Sequence, residues 1–508
     1  MERVKRMRVR REEVGAKPVR DATGGAVLYS RWPARSSSHF KVLSLTTVIL
    51  ASLVTSTGPA RATFPTAAGT QVSSASEVWV TNQALDNVQI VTGGAVVDEV
   101  DLTGVGDGPH SVNFSSNGAY AFVASVVNGA VTSIRTSDRS VAGNLMIPGV
   151  SGTAPPLSHQ AAPTPDGSSL LVAHIANKTL YEVSVAADGA LTLGTRSLTF
   201  AKAPICTVFT SDGSKAYVSL ATSGLVAIDM ATFTQIGNEI ATTGSVQCGM
   251  QPMADGSFLI SANGGADATS GILYRLDPAT SSLTQIAEIA GRDVHGLTAS
   301  PDGKHAFATA RGSETMSSID VVSGEIDSSV SLDVTPGVAD KPDQADYLDG
   351  SVYVTLREIG KLAVVTDSSI QTIDLGGTLV HGVSVLDRAA PTTRVTSPTA
   401  GQRINNRRFR SASGVAADDA SFVELVQLAL RKKTPEACKW WSARRQKLVS
   451  RSCARPLWFR AGGDLEWSYE FPTLPAGRYQ LRSRGTDAVG NREEVSTFGA
   501  NKVGFRLI

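Results

Sequence analysis

The sequence predicts an almost entirely β protein, and three observations support this fold class. Aliphatic residues form short runs broken by Gly, Ser and Thr, which is typical of antiparallel strands. An amphipathic period of 3.6 residues does not persist over a helix length, except near residues 420 to 432. A short phrase, ending in Asp-Gly or Asn-Gly in most copies, occurs seven times between Ser76 and Asp387. With 508 residues and 42% hydrophobic content, the chain can form two folded domains after a leader.

The repeated phrase predicts the architecture of residues 76–388. In its seven copies, the turn Asn or Asp stands at positions 117, 166, 212, 255, 302, 349 and 387. Each copy predicts one strand, a tight turn that needs a positive φ, and an antiparallel partner strand. Units of roughly 40 to 50 residues with four strands each are typical of β-propeller blades. The strand before the turn would then be the innermost strand, lining a central channel.

The two ends of the repeat region predict how the ring closes. EVWVTNQ (77–83) matches the second strand of a unit but has no inner strand before it. LVHGVSVLD (379–387) is an inner strand without successors. We therefore expect a seven-bladed propeller in which one blade takes three strands from the N-terminal end and one from the C-terminal end, leaving no open edge.

Three short segments point to a known family. Trp79-Val80-Thr81-Asn82, Tyr217-Val218-Ser219 and Tyr353-Val354-Thr355 each follow a turn, and this pattern resembles the YVTN β-propeller repeats. The resemblance covers about 310 residues and implies the fold. It implies little about function, because members include surface-layer proteins, periplasmic proteins and partners of redox enzymes.

Histidines recur at one position of the repeat, close to the start of the predicted inner strand. Three of them and Cys248 lie seven residues before the turn Asn or Asp, and a fourth lies six before Asp387. The remaining two units have Ile205 next to Cys206, and the pair Asp343-Gln344. The candidate ring around the channel mouth is His110, His159, Cys248, His295, His381 and Asp343.

Three interpretations of this ring stay open. Imidazole, thiolate and carboxylate ligands suit Cu or Zn, which would make the protein a metal-dependent oxidoreductase. In an exported protein a Cys206–Cys248 disulfide would compete with thiolate ligation. The histidines can also be structural, hydrogen-bonded within their own blades. Pro109-His110 resembles a feature of phosphogluconolactonase-type propellers, which implies a lactonase-like hydrolase as a second alternative.

Residues 1–62 predict a leader with an export signal. Residues 1 to 41 contain eleven Lys and Arg against four acids, and a 13-residue apolar run from Val42 to Val54 follows. The Ala60-Arg61-Ala62 segment supplies a small-x-small cleavage site. The apolar run is shorter than the roughly 18 to 20 residues that span a bilayer. We therefore expect a secreted or cell-envelope protein that is not an integral membrane protein after cleavage.

Residues 391–508 predict a β-sandwich module of a different composition. Pro391 to Pro398 and the ending TDAVGN (486–491) resemble bacterial immunoglobulin-like modules, which are spacers or attachment elements of exported proteins. With export, a disulfide between Cys438 and Cys453 is expected. The loop between them would present a candidate patch for an anionic polymer, formed by Trp440, Trp441, Arg444, Arg445, Lys447 and Arg451. The alternative is that the tryptophans belong to the core.

Charge is divided along the chain. Residues 63–390 contain 14 basic and 32 acidic side chains, a net charge of −18, whereas residues 391–508 contain 21 basic and 10 acidic, a net charge of +11. The basic module is therefore predicted to dock on the acidic propeller. A nucleic-acid partner is not expected for an exported protein, and a protein or cell-wall glycan partner is. The leading prediction is an exported, non-enzymatic binding or scaffold protein that presents its channel face.

Overall fold

The structure is a computed structural model that describes residues 76–147, 149, 158–222, 224–264, 268–367, 369–434 and 438–508, together with two short strands near the N-terminus. These strands, β1 (Val19–Arg20) and β2 (Ala26–Val27), pair antiparallel. The rest of the predicted leader and export signal lies outside the described residues. The described part of the chain contains no helix with the length and hydropathy to cross a membrane.

Residues 77 to 386 form four-stranded antiparallel sheets, seven of them among the described residues. The first three of these strands are β3 (Glu77–Asn82), β4 (Asn87–Thr92) and β5 (Ala95–Asp101). The next two sheets contain β6 (Pro109–Phe114), β7 (Tyr120–Ser125), β8 (Ala130–Arg135) and β9 (Val141–Met146), then β10 (Ser158–Pro163), β11 (Ser169–His174), β12 (Thr179–Val185) and β13 (Leu191–Thr199). Two more contain β14 (Pro204–Phe209), β15 (Lys215–Leu220), β16 (Leu225–Asp229) and β17 (Thr234–Ile240), then β18 (Met250–Pro252), β19 (Phe258–Ala262), β20 (Ser270–Asp277) and β21 (Ser282–Ala290).

The remaining strands of this region follow the same order. They are β22 (Val294–Ala299), β23 (His305–Ala310), β24 (Thr315–Asp320) and β25 (Ile326–Ser331), then β26 (Pro342–Leu348), β27 (Ser351–Leu356), β28 (Lys361–Val365) and β29 (Ile370–Asp374), and finally β30 (Val380–Leu386). A single 3-10 turn, Arg357–Ile359, follows β27. Strand β30 pairs with β3, so that strands from both ends of the region share one sheet. The region is an all-β propeller.

The repeated turn explains why six of the seven described sheets begin as a hairpin. In one copy, Ser300 Oγ donates to Asp302 Oδ1, the Lys304 N–H donates to the same carboxylate oxygen, and Gly303 has a φ of +70°. Glycine adopts this left-handed conformation without a steric cost. Second strands such as β7 are almost wholly buried. Fourth strands such as β17 are mostly exposed.

The first strands of the sheets contact one another in a closed cycle. β6 contacts β10, and the contacts continue through β14, β18, β22, β26 and β30 back to β6. Side chains on these strands therefore come together from positions far apart in the sequence. This cycle positions the candidate site.

Residues 391–508 form two further sheets. The smaller contains β31 (Thr392–Ser397), β33 (Ser411–Ala417) and β38 (Glu466–Glu470). The larger contains β32 (Arg403–Ile404), β34 (Val423–Lys433), β35 (Cys438–Ser442), β36 (Lys447–Arg451), β37 (Phe459–Arg460), β39 (Gly477–Asp487) and β40 (Lys502–Leu507). One aromatic core lies between them, and it includes Trp441, Trp467 and Tyr479.

Candidate functional site at the centre of the propeller

The predicted ring residues lie on first strands of the sheets, where the strand pairing is irregular. Pairing between β22 and β23 shifts between Val294 and Leu297, so that His295 lies in a bulge. The same kind of irregularity brackets four more ring residues, His110, His159, Asp343 and His381. A β-bulge re-aims a side chain that simple alternation would place elsewhere. The bulges therefore bring five of the six predicted ring residues to one place.

A hydroxyl on the second strand holds each of several bulges. Thr309 Oγ1 accepts the Gly296 N–H at 2.8 Å and donates to the carbonyl oxygen of Asp343 at 2.6 Å. Thr81, Ser219 and Thr355 make the corresponding pair of bonds in other sheets. The Ser or Thr of the repeat therefore satisfies the interrupted ladder and links neighbouring sheets.

Two histidines form a hydrogen-bonded chain with Gln83. Gln83 Nε2 donates to His110 Nδ1 at 2.6 Å, so His110 carries its proton on Nε2 and donates it to His159 Nε2 at 2.9 Å. His159 Nδ1 then carries the second proton and faces the sulfurs of Cys206 and Cys248, each at 3.9 Å. These tautomers follow from the hydrogen-bond network. Each bond joins different sheets, so the histidines are not bonded within their own sheets.

On the other side of the centre, a buried carboxylate is held by cations. His295 Nε2 lies 2.8 Å from Asp343 Oδ1, and Arg311 Nη2 lies 2.7 Å from His295 Nδ1 and 3.2 Å from the same carboxylate oxygen. The Arg357 guanidinium lies on the other side, with Nε 3.9 Å from Asp343 Oδ2. Asp343 is fully buried. We call these three ionic residues and the four histidines His110, His159, His295 and His381 the central cluster.

Polar atoms in the central cluster remain unmatched. His381 Nδ1 donates to the carbonyl oxygen of His110 at 3.0 Å, which leaves a lone pair on Nε2, 3.4 Å from Asp343 Oδ2. Asp343 Oδ2 and Arg357 Nε are both buried without a hydrogen-bond partner. Two acceptors and one donor are therefore available at the same point, an arrangement that a hydroxyl or a water molecule would satisfy.

Burial and neighbouring charges determine the protonation states in the central cluster. Burial would raise the pKa of Asp343, but the Arg311 guanidinium and the hydrogen bond from His295 outweigh it and hold that pKa well below its usual range. Burial, with repulsion from neighbouring histidines and Arg357, lowers the pKa of His110 well below 6.5. Burial and His295 lower the pKa of His159 to about 4. At neutral pH these two imidazoles are therefore neutral, and the two arginines are balanced by Asp343 and by Asp293, whose Oδ2 lies 3.7 Å from Arg311 Nε.

The structure corrects the prediction that Cys248 supplies a thiolate. Cys206 and Cys248 form a disulfide that joins β14 to the segment before β18, and a disulfide offers no thiolate to a metal. His295, Asp343 and His381 each place one possible ligand atom within 4.8 Å of the others, but Arg311 already lies against two of them. A guanidinium occupies the position that a cation would need. The residues therefore do not fit the predicted Cu or Zn ion in this form.

The sequence match decides the family. Residues 40–391 match the family described as YNCE-like beta-propeller. The chain belongs to the YNCE-like β-propeller family. Against curated protein sequences, the search finds no significant match.

Solved structures similar to this YNCE-like propeller have low sequence identity. A periplasmic gluconolactonase from Pseudomonas aeruginosa is 14% identical, with 62% of this chain and 100% of that chain covered and a TM-score of 0.49. A functionally unknown protein from Desulfotomaculum acetoxidans is 13% identical, with 61% and 98% covered and a TM-score of 0.47. A putative 6-phosphogluconolactonase from Bacteroides fragilis is 18% identical, with 53% and 82% covered and a TM-score of 0.42.

The residues of the candidate anionic patch are divided between core and surface. Trp440 and Trp441 are 0% and 1% exposed, so their ring faces are not available to a sugar. The basic residues of the patch are exposed: Arg444, Arg445, Lys447 and Arg451. The expected Cys438–Cys453 disulfide is present. A groove of about 380 Å³ next to this hairpin is lined by three lysines, Lys432, Lys439 and Lys447.

Sequence reasoning missed the two arginines of the central cluster. Arg311 and Arg357 each stand directly after the second strand of their sheet, nine and eight residues after the turn aspartate. Gln83 stands at the same place after β3 and also contacts the cluster. Aligning the repeat at the end of the second strand, as well as at its turn, would have found all three.

Proposed function

We propose that this YNCE-like propeller is an exported binding or scaffold protein whose central cluster binds a small ligand carrying a carboxylate and hydroxyl groups. The observation that carries the proposal is the set of unmatched polar atoms on Asp343, His381 and Arg357. A ligand hydroxyl can donate to Asp343 Oδ2 and accept from Arg357 Nε. Guanidinium groups donate to carboxylates in a fixed geometry, so Arg357 next to these atoms favours a carboxylate on the same ligand.

The proposed architecture is a seven-bladed propeller with 3+1 closure, spanning residues 76–388, followed by an immunoglobulin-like spacer or attachment module at 391–508. The closed cycle of first strands and the pairing of β30 with β3 support the ring. Two sheets with one aromatic core between them support a sandwich. The interior of such a ring is the natural position for a ligand site, because loops and strand ends from all blades meet there.

Binding is favoured over the metal-dependent oxidoreductase alternative. Arg311 occupies the cation position beside His295 and Asp343, and the cysteines are bonded to each other. It is also favoured over a lactonase-like hydrolase. A general base works best with a pKa near the working pH, whereas the pKa of His159 is about 4 and the His110 proton is committed to His159.

Two independent features support the proposal of an extracytoplasmic location. Two disulfides persist in oxidising compartments and are rare in reducing ones. The basic leader with its apolar run is the other feature. An acidic cell-wall glycan is then the partner class that agrees with a carboxylate ligand at the centre.

The test is a binding measurement with a matched pair of sugars. Isothermal titration of the full chain with galacturonate and with galactose isolates the carboxylate, since the two differ only at C6. We expect galacturonate to bind at least tenfold more tightly, and Arg357→Gln to remove most of that preference. His305→Gln is the control, because His305 pairs with Asp327 outside the central cluster.

Two results would count against the proposal. Equal affinity for the two sugars, or no binding by either, would contradict the proposal that the ligand carries a carboxylate and hydroxyl groups. Near-stoichiometric Cu or Zn in protein from its native compartment, lost in a folded His159→Ala, His295→Ala variant, would favour the oxidoreductase alternative instead.

The groove of the C-terminal segment supports a second, weaker contact with an anionic polymer. Its three lysines lie on β34, β35 and β36, which are adjacent strands. The matched test is sedimentation with polygalacturonate at 50 and 200 mM salt, using Lys439→Gln with Lys447→Gln. Binding that is salt-independent, or unchanged in the double variant, would contradict an electrostatic contact.

A further inference from the structure

Three carboxylates meet where the C-terminal segment contacts the propeller. Asp387 follows β30, Asp418 lies in the loop between β33 and β34, and Asp487 ends β39. One oxygen of each carboxylate lies within 4.8 Å of the other two. Ser421 in the same loop donates to Asp387 Oδ2 at 2.7 Å. We call the three residues the junction acids.

Some carboxylate oxygens of the junction acids accept hydrogen bonds, and others have no hydrogen-bond partner. Asp487 Oδ1 accepts the N–H groups of Val489 and Asn491, and Asp418 Oδ1 accepts those of Ala420 and Ser421. The Oδ2 atoms of Asp418 and Asp487 are buried and have no hydrogen-bond partner. Asp487 is 0% exposed as a whole residue. Within the described ranges, no Lys, Arg or His forms an ion pair with any of the three.

This arrangement is unfavourable for the protein alone. Burial, with mutual repulsion, raises the pKa of Asp387 and Asp418 to about 7 and that of Asp487 to about 6. Like charges in a poorly solvated place must either take up protons or share a cation. The turn bonds to Oδ1 fix the three side chains, and one oxygen of each carboxylate lies within 4.8 Å of the other two.

We propose that the junction acids bind a calcium ion that fastens the C-terminal segment to the propeller. All the available ligands are oxygens, and a hard divalent cation selects oxygen ligands. A spread of up to 4.8 Å between ligand atoms is compatible with Ca–O bonds of 2.3–2.6 Å. Mg²⁺ requires 2.0–2.1 Å and a near-ideal octahedron, which suits this spread less well. Water would complete the coordination.

The proposed ion does not depend on the central cluster. Asp387 is the turn aspartate of the seventh repeat and keeps the turn bond of the other copies, with Oδ1 accepting the Ala389 N–H. Its other oxygen faces the junction because the chain continues into the C-terminal segment. Neighbouring contacts tie the same surfaces together: the Asp349 N–H donates to the carbonyl of Asp419, and Asn491 Nδ2 donates to the carbonyl of Asp387.

The test compares the full chain in EDTA and in 1 mM CaCl₂. Equilibrium dialysis with ⁴⁵Ca should find one ion per chain, and calcium should raise the midpoint of thermal unfolding, since a ligand of the folded state stabilises it. Asp418→Asn should weaken calcium binding at least 100-fold. In EDTA the same variant should unfold no earlier than the wild type, because it removes a buried like charge. Asp419→Asn, the adjacent control outside the triad, should lose no more than about fivefold.

Several outcomes would overturn the proposal. One is that no calcium binds at 1 mM, or that calcium does not move the midpoint of thermal unfolding. Another is that Mg²⁺ raises the midpoint as much as calcium does, or that the control variant loses as much calcium affinity as Asp418→Asn. If Asp418→Asn does not fold in either medium, Asp387→Asn replaces it with the same expectations. Arg357→Gln should leave calcium binding unchanged, which separates this test from that of the central ligand.

Discussion

Two buried acidic sites in this YNCE-like propeller are built in opposite ways. At the centre, one carboxylate, Asp343, is flanked by Arg311 and Arg357. At the junction, the carboxylates of Asp387, Asp418 and Asp487 lie together and repel one another. The pKa of Asp343 is held well below its usual range, whereas burial raises the pKa of Asp387 to about 7. Burial opposes ionisation at both sites, so the neighbouring charges decide whether the acid stays ionised.

This difference indicates where each site still needs a partner. The central cluster has its charge compensated inside the protein and lacks only hydrogen-bond partners, which suits a polar ligand. The junction acids repel one another, and Oδ2 of Asp418 and of Asp487 have no hydrogen-bond partner, which suits a cation. The contact between the two parts of the chain also joins acidic residues on both sides.

The largest expected effect is the removal of a central cation. Arg311→Gln should destabilise the protein by about 3 to 5 kcal/mol in urea unfolding, because it leaves Asp343 buried with one cation fewer. Arg275→Gln is the matched control, since Arg275 pairs with Asp255 at the exposed surface. That control should cost less than about 1 kcal/mol. Similar losses for both variants would mean that Asp343 does not depend on Arg311.

The central disulfide should have the next largest effect. Cys206 and Cys248 are 42 residues apart, and the chain-entropy model assigns about 4 kcal/mol to a closed loop of that length. Replacing both cysteines by alanine should therefore lower the free energy of unfolding by about 2 to 4 kcal/mol. The Cys438–Cys453 pair closes a loop of only 15 residues, and its removal should cost less. A larger loss for the shorter loop would contradict this order.

A smaller effect is expected from pH at the centre. His159 has a pKa of about 4 in the folded protein and about 6.5 when unfolded, so the unfolded chain binds more protons between these values. Its contribution to stability is complete above pH 6.5 and is lost as pH falls towards 4. The groups that face His159 are His110, His295, His381, Arg311 and Asp343. His159→Gln should flatten the loss of stability between pH 6.5 and 4, measured in urea with calcium present. If the dependence of the unfolding free energy on pH is unchanged in the variant, a group other than His159 titrates in this range.

The sequence predicted the sheets better than the chemistry at their centre. Turn residues repeat because each hairpin needs a positive φ, and the Asp-Gly or Asn-Gly pair is visible in six of the seven copies. The clustering of His110, His159, His295 and His381 follows from the same register. The repeat pattern did not predict Arg311 and Arg357, because they stand after the second strand and not at the aligned position. The bulge at Asp343 directs its carboxylate towards them. The junction acids come from three distant places, 387, 418 and 487, so no local pattern could join them.

The smallest predicted effect is a gain in stability at the junction. Asp487→Asn in EDTA at pH 8 should stabilise the protein by about 1 kcal/mol, because it removes one of three buried like charges. Asparagine keeps Oδ1 as the acceptor for Val489 and Asn491, so the turn is retained. Its amide can also donate to the free Oδ2 of Asp418.

The same substitution at the centre provides the contrast. Asp343→Asn removes the buried carboxylate that lies between Arg311 and Arg357, so it should destabilise the protein by about 3 kcal/mol or more. The two variants are chemically identical and should have effects of opposite sign in urea unfolding. If Asp487→Asn also destabilises the metal-free protein, the junction acids are already protonated and share their protons as hydrogen bonds. The contrast between a compensated and an uncompensated carboxylate would then fail, because protonation would have removed the repulsion on which it depends.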